Sequence, residues 1–189
     1  MPPDPALLDH LHRHAIRRGD FVLKSGARSS WFIDGKQTVC RPDGIALVAD
    51  AILRVLPDDV TAIGGLTMGA DPVAFGTAAV AMTRGRGLRS FSVRKEVKDH
   101  GAGGRIAGAL DPGDRVVVVE DVVSRGTSLI EAATVVREAG AEPVLLLAVV
   151  DRGGTVGRLA EAEGLGFHAV ATAEDLGLPY EGGLVVDAG

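Results

Sequence analysis

Four consecutive valines, Val116 to Val119, run into Glu120 and Asp121 and then into Val122-Val123-Ser124-Arg125-Gly126-Thr127-Ser128. An unbroken β-branched run bounded in this way reads as a strand buried on both faces, the kind found in a parallel sheet covered by helices. The strand is expected over residues 116–120 and a helix over 129–139. The loop between them then lies at the C-terminal edge of a strand and at the N-terminus of a helix. Free backbone N–H groups and the positive end of the helix dipole suit a phosphate there. The two acids cannot bind that phosphate. They are placed to hold hydroxyls, a metal ion or a developing cation beside it. A phosphate cradle next to an acidic pair points to a phosphorylated sugar.

Two familiar phosphate motifs do not fit this run. A P-loop needs Gly-x-x-x-x-Gly-Lys-Ser/Thr, and a dinucleotide fold needs Gly-x-Gly-x-x-Gly after the strand. A plain buried strand followed by a polar N-cap would explain Ser124 or Thr127. It would not explain two adjacent carboxylates at a buried strand end, where unpaired acids are costly.

The rest of the chain alternates helix and strand. Residues 4–17 form an amphipathic helix by spacing, with Leu7, Leu8, Leu11, Ala15 and Ile16 on one side. Two short strands around a Gly-containing turn are expected over 21–34. Helices follow at 42–56 and 71–82, the latter with Asp71-Pro72 as cap and first residue. Strands are expected at 62–65, 90–94, 144–150 and 167–171, and a last helix at 156–163. Such alternation predicts a mostly parallel sheet flanked by helices. We read one α/β domain over residues 1–189, with a small N-terminal hood in about 1–40 and a mobile loop in about 95–108.

That loop is the second chemical segment. Arg94-Lys95-Glu96-Val97-Lys98-Asp99-His100-Gly101 is followed by Gly103, Gly104, Arg105 and Gly108. A charged loop is usually just solvated. This one follows a buried strand, where active-site loops occur in such sheets, and its glycines allow it to open and close. Its cations could neutralise a pyrophosphate leaving group.

The strand-and-loop run resembles the phosphoribosyl-pyrophosphate (PRPP) signature of type I phosphoribosyltransferases. Here Ser124 stands where Thr is commoner and Arg125 where a small residue is usual. The Arg-Lys-Glu-x-Lys-x-His-Gly segment resembles the catalytic loop of the orotate-specific branch. Lys24-Ser25-Gly26 with Trp31-Phe32-Ile33, and Asp151-Arg152, resemble further motifs of that branch. Gly64 to Ala70 stands at the family's pyrophosphate loop, which often holds a non-proline cis peptide, with Gly69 where many members carry lysine.

The resemblance implies a type I phosphoribosyltransferase fold and the reaction of orotate with PRPP to give orotidine 5′-monophosphate and pyrophosphate, in pyrimidine synthesis. It implies Lys98, His100, Glu120 and Asp121 as catalytic residues. Lys24, Arg94, Lys95, Lys98, His100, Glu120, Asp121, Val122, Val123, Ser124, Arg125, Gly126, Thr127 and Ser128 would bind PRPP. Phe32, Ile33, Ser124 and Arg152 would bind orotate, the guanidinium of Arg152 pairing with its carboxylate. Mg²⁺ would be held mainly through PRPP rather than by protein ligands. A homodimer is implied, each loop closing over its partner's site.

Bulk properties agree with this reading and exclude some others. A net charge of −5 argues against a nucleic-acid binder relying on bulk charge, including a PRPP-sensing regulator. No apolar run is long enough to span a bilayer and no secretory signal appears. Cys40 is the single cysteine, so no intramolecular disulfide can form. A cytoplasmic enzyme is expected. A phosphoribosyltransferase for another base would keep the signature and lack the Lys-Glu-x-Lys-x-His-Gly segment.

Overall fold

The valine run divides its side chains between two cores. Val117 and Val119 join one hydrophobic cluster, and Val116 and Val118 join another on the opposite face. All four are fully buried, each worth on the order of 1.5–3 kcal/mol relative to exposure. The structure, a computed structural model, describes residues 2–22, 26, 28–98 and 104–182, the side chains of Val97 and Lys98 excepted.

In chain order the elements are α1 (Pro5–His14), β1 (Ile16–Val22), β2 (Arg28–Ile33), α2 (Lys36–Val39), α3 (Pro42–Val55), β3 (Ala62–Leu66), α4 (Ala70–Thr83), β4 (Arg89–Lys98) and β5 (Gly104–Gly108). They continue with β6 (Arg115–Val123), α5 (Thr127–Glu138), β7 (Glu142–Asp151), α6 (Val156–Ala162) and β8 (Gly166–Thr172). Six strands form one sheet in the order β5-β4-β3-β6-β7-β8. Every pair is parallel except β4 with β5. Strands β1 and β2 pair separately as an antiparallel hairpin.

Several boundaries differ from the sequence reading. Helix α1 stops at His14 rather than 17, because Ile16, Arg17 and Arg18 pair with Ile33, Phe32 and Trp31. Pairing and the β-branched Ile16 override the helical spacing there. Asp4 does cap α1, accepting from Ala6 N at 2.9 Å. Asp71 does not cap α4. The cap position is Gly69, and the Asp71 carboxylate accepts from Thr67 Oγ1 at 2.7 Å and Ser92 Oγ at 2.6 Å. Strand β6 runs on to Val123, so the acidic pair lies inside the strand's last turn of pairing, not beyond it. The expected loop at 95–108 is largely a β-hairpin, with Phe91, Ser92 and Val93 opposite Gly108, Ala107 and Ile106. Its central residues, 99–103, lie outside the described residues. Helix α2 carries no periodic signal, being four residues long, and the sequence reading omits it.

Glycines set the tightest spacings. A Cβ on Gly65 would overlap the carbonyl oxygen of Val119 on the adjacent strand and press on Ala70 Cβ. Backbone cannot swing aside as a side chain does. Gly65→Ala is therefore expected to destabilise the fold by about 1–3 kcal/mol. Thermal unfolding checks this, and an unchanged midpoint would mean that β3 and β6 can move apart at no cost.

Candidate active site

Three loops leave the C-terminal ends of adjacent strands. They are 67–69 after β3, the run to Thr127 after β6, and 152–155 after β7. The sheet order brings them side by side, at the edge where ligands bind in open α/β sheets. Arg152 N donates to Val123 O at 2.8 Å, and Thr155 Oγ1 donates to Ser124 O at 3.3 Å. The second and third loops are thus tied together.

Glu120 and Asp121 converge on the first loop. A Cβ on Gly69 would overlap Glu120 Oε1 and crowd Asp121 Oδ1. A side chain at position 69 would force both carboxyl groups to shift. The peptide before it, Thr67–Met68, is cis. The cation beside the acids comes instead from the hairpin side. Lys36 Nζ donates to Asp121 Oδ2 at 2.9 Å. Gly35 packs so closely that its Cβ would lie 2.9 Å from the same oxygen. Lys36 is a residue the sequence reading misses. Its signal is faint, a lysine after the Asp34-Gly35 turn, 85 positions away from its partner.

Both acids are buried, at 8% and 5% exposure. Burial pushes the Glu120 carboxyl up to about 8, the Asp121 charge adds to this, and Lys36 opposes it. Burial pulls the Lys36 ammonium down, but its hydrogen bond and attraction to Asp121 leave it raised overall. Burial and the neighbouring acid thus oppose a second charge on the pair, and Lys36 faces Asp121.

The loop after β6 leads directly into the N-terminus of α5. Gly126 is the cap of α5 with φ of 78°, and a side chain there would strike Val156. No side chain caps the helix, so its first N–H groups remain for a ligand. Ser124 and Ser128 are half-buried, while Arg125 and Thr127 are exposed. The Arg125 side chain therefore stands in solvent. Val122 and Val123 remain strand residues, paired with Val150 and Asp151.

Arg152 is buried and held from several sides. Its Nη2 donates to Ser29 Oγ at 2.6 Å and to Trp31 O at 2.9 Å, and its guanidinium lies 4.8 Å from the Trp31 ring centroid. Its Nε is buried with no hydrogen-bond partner among the described residues. Burial pulls the guanidinium below its usual range, and the Glu181 charge opposes this. Phe32 is exposed and lies beside Phe21, with ring centroids 5.7 Å apart. Ile33, expected beside Phe32 at the base, has its side chain turned into the core by the alternation along β2.

The cationic segment is brought in only partly. Arg94 Nη1 donates to Gly104 O and Ile106 O, both at 3.3 Å, so its side chain is tied to β5. Lys95 is exposed. Lys24, His100 and the Lys98 side chain lie outside the described residues.

The raised Glu120 carboxyl has a consequence for stability. Below about 4.5, its unfolded value, both states hold the proton and the group contributes nothing. Between about 4.5 and about 8 only the folded state keeps it, so stability falls as pH rises through that window. Glu120→Gln removes the titration. Its melting temperature relative to the unaltered protein should rise between pH 4.5 and 8 and then level off. Calorimetry without substrates reads this, and a pH-independent difference would contradict the assignment.

No family model matches the chain. Individual proteins do. The orotate phosphoribosyltransferase of a Nostoc species is 39% identical over 176 residues, covering 93% of this chain and 85% of the relative. A phosphoribosyltransferase from Corynebacterium diphtheriae superposes with a TM-score of 0.79 at 35% identity, over 91% of this chain and 96% of that one. The Mycobacterium tuberculosis orotate phosphoribosyltransferase, solved in complex with PRPP, gives 0.76 at 33% identity, over 91% and 97%. The sheet, the loops at its edge and these likenesses agree, and the chain belongs to the orotate phosphoribosyltransferases, enzymes of the type I phosphoribosyltransferase fold.

Proposed function

We propose that this chain transfers the 5-phosphoribosyl group from PRPP to orotate with Mg²⁺, giving orotidine 5′-monophosphate and pyrophosphate for UMP synthesis in the cytoplasm. The observation that carries this reading is the convergence of a phosphate cradle, a buried acidic pair and a buried arginine on one sheet edge. The PRPP bound by the Mycobacterium tuberculosis relative supports the choice of donor.

In this reading the 124–128 loop takes the 5-phosphate on backbone N–H groups and hydroxyls. Glu120 and Asp121 accept the ribose hydroxyls. As pyrophosphate leaves C1, the ribose gains oxocarbenium character, and the negative charge of the acidic pair stands beside that cation. Arg94, Lys95, Lys98 and His100 stabilise the leaving group, Lys24 contacts PRPP, and loop closure excludes water. Arg152 and Ser124 orient orotate, with Phe32 against its ring.

The donor set fits a metal carried by the substrate. Among the described residues no group of three or more His, Cys, Asp or Glu could hold an ion. The one carboxylate pair at the site already has Lys36 on Asp121. Mg²⁺ would be held mainly through PRPP oxygens and supplies charge neutralisation on pyrophosphate.

Purified protein with PRPP and Mg²⁺ should consume orotate, followed by the loss of its ultraviolet absorbance, and should use uracil poorly because uracil lacks the carboxylate. Equal use of uracil would contradict the base assignment. Lys98→Ala should lower turnover by an amount equivalent to about 2–4 kcal/mol of transition-state stabilisation.

The proposed assembly is a homodimer whose loop serves the partner's site. Lys98→Ala and Asp121→Asn, each inactive, should complement when their subunits exchange. A mixed dimer holds one site with both lesions and one with neither. Activity should recover to roughly a quarter of the unaltered level, since half the dimers are mixed and each has one intact site. No recovery, with exchange demonstrated, would mean that the loop serves its own subunit.

A further inference from the structure

The segment after β8 returns to the hairpin and brings the Glu181 carboxylate to three hydrogen-bond donors and to the Arg152 guanidinium. Ser29 Oγ and Glu181 Oε2 are in hydrogen-bond contact. Ser30 N donates to Oε2 at 3.1 Å, and Ser30 Oγ donates to Oε1 at 2.8 Å. Arg152 Nη2 stands 3.7 Å from Oε2. One side-chain and one backbone hydrogen bond hold the segment in register, Trp31 Nε1 donating to Pro179 O at 3.1 Å and Glu181 N to Arg152 O at 2.9 Å. Tyr180 packs over Gly154, where a Cβ would lie 2.9 Å from its ring. Although burial pushes the Glu181 carboxyl up, the Ser29 and Ser30 hydrogen bonds and the Arg152 charge outweigh it, leaving Glu181 held below its usual range.

Arg152 needs such a partner. Both Nη2 protons are committed, to Ser29 Oγ and Trp31 O, and one face of the guanidinium meets Trp31. These contacts fix its plane, but both acceptors are neutral. Glu181 supplies the opposing charge and orders the Ser29 hydroxyl, which is the acceptor for Arg152. The Nε is left buried and unpartnered among the described residues.

We propose that Glu181 is a positioning residue for base recognition: through Ser29 and Ser30 it holds Arg152 against the hairpin and so fixes the guanidinium that meets the carboxylate of the substrate. This rests on the reading of Arg152 as the orotate ligand. Glu181 then serves the base site through Arg152 rather than by direct contact.

The test measures KM for orotate and for PRPP, kcat and the melting temperature in Glu181→Ala, Glu181→Asp, Arg152→Ala and the Glu181→Ala/Arg152→Ala pair. Glu181→Ala should raise the orotate KM roughly tenfold, as loss of a charge-assisted hydrogen bond does. The PRPP KM should stay within about twofold on the same scale. Glu181→Asp should restore part of the orotate affinity. In the pair, Glu181→Ala should add no further rise to that of Arg152→Ala, because the residues act as one unit. Equal rises for both substrates with a lowered melting temperature would overturn the proposal in favour of a structural tether. An unchanged or lowered orotate KM in Glu181→Ala, while Arg152→Ala raises it, would overturn the role of Glu181 alone. An unchanged orotate KM in Arg152→Ala would overturn the reading of Arg152 itself.

Discussion

Two adjacent carboxylates near the end of a strand buried on both faces set the terms for everything around them. Charge in such a place is costly unless it is paired or neutralised. This protein does both. Burial and the Asp121 charge push the Glu120 carboxyl toward its neutral form, and Lys36 faces Asp121. Space is made by removing side chains from two sides, at Gly69 and at Gly35. The pair therefore depends on three separate stretches of chain, and none of them can change alone without exposing or crowding an acid.

On the proposed reading, a ribose bringing two hydroxyls to these acids would meet groups already fixed by the sheet, so little ordering would remain to be done on binding. The Asp121 backbone takes part as well. Its N–H donates to Glu120 Oε1 at 3.2 Å, and Val122 N donates to Asp121 Oδ1 at 2.9 Å. Each acid is thus oriented by the peptide that follows it, and the orientation is inherited from strand pairing rather than from a flexible loop.

What the sequence made legible follows from the range of the interaction involved. The valine run, the cradle glycine at Gly126 and the alternation of elements are local signals, and the fold class and the acidic pair could be read from them. The end of α1 could not, because Ile16 becomes strand only through its pairing with Ile33. The β4–β5 hairpin was hidden for the same reason, its strand residues being glycine-rich and charged. Phe32 and Ile33 were both expected beside the base, whereas period-2 alternation sends the two to opposite sides. Lys36 and Glu181 were missed because each meets its partner only after the hairpin folds back on the sheet, and neither stands in a periodic or motif-bearing segment.

That last point concerns the hairpin itself. Strand β2 contributes to the sheet edge through alternate residues, with Ser29, Trp31 and Ile33 turned inward and Arg28, Ser30 and Phe32 outward. Trp31 is fully buried, its carbonyl accepts from Arg152, and its ring lies against the same guanidinium. A slip of one residue in β2 would exchange the two sets. It would put Phe32 in the core, turn Trp31 to solvent and remove the Ser29 hydroxyl from Arg152. The bulk of Trp31 therefore does more than fill space. By admitting only one register, it places the hydroxyl and carbonyl that hold the arginine, and it sets where the following turn presents Lys36 to Asp121. Packing in the hairpin and electrostatics at the sheet edge are one constraint, because the register that buries the indole is also the register that supplies both charge contacts.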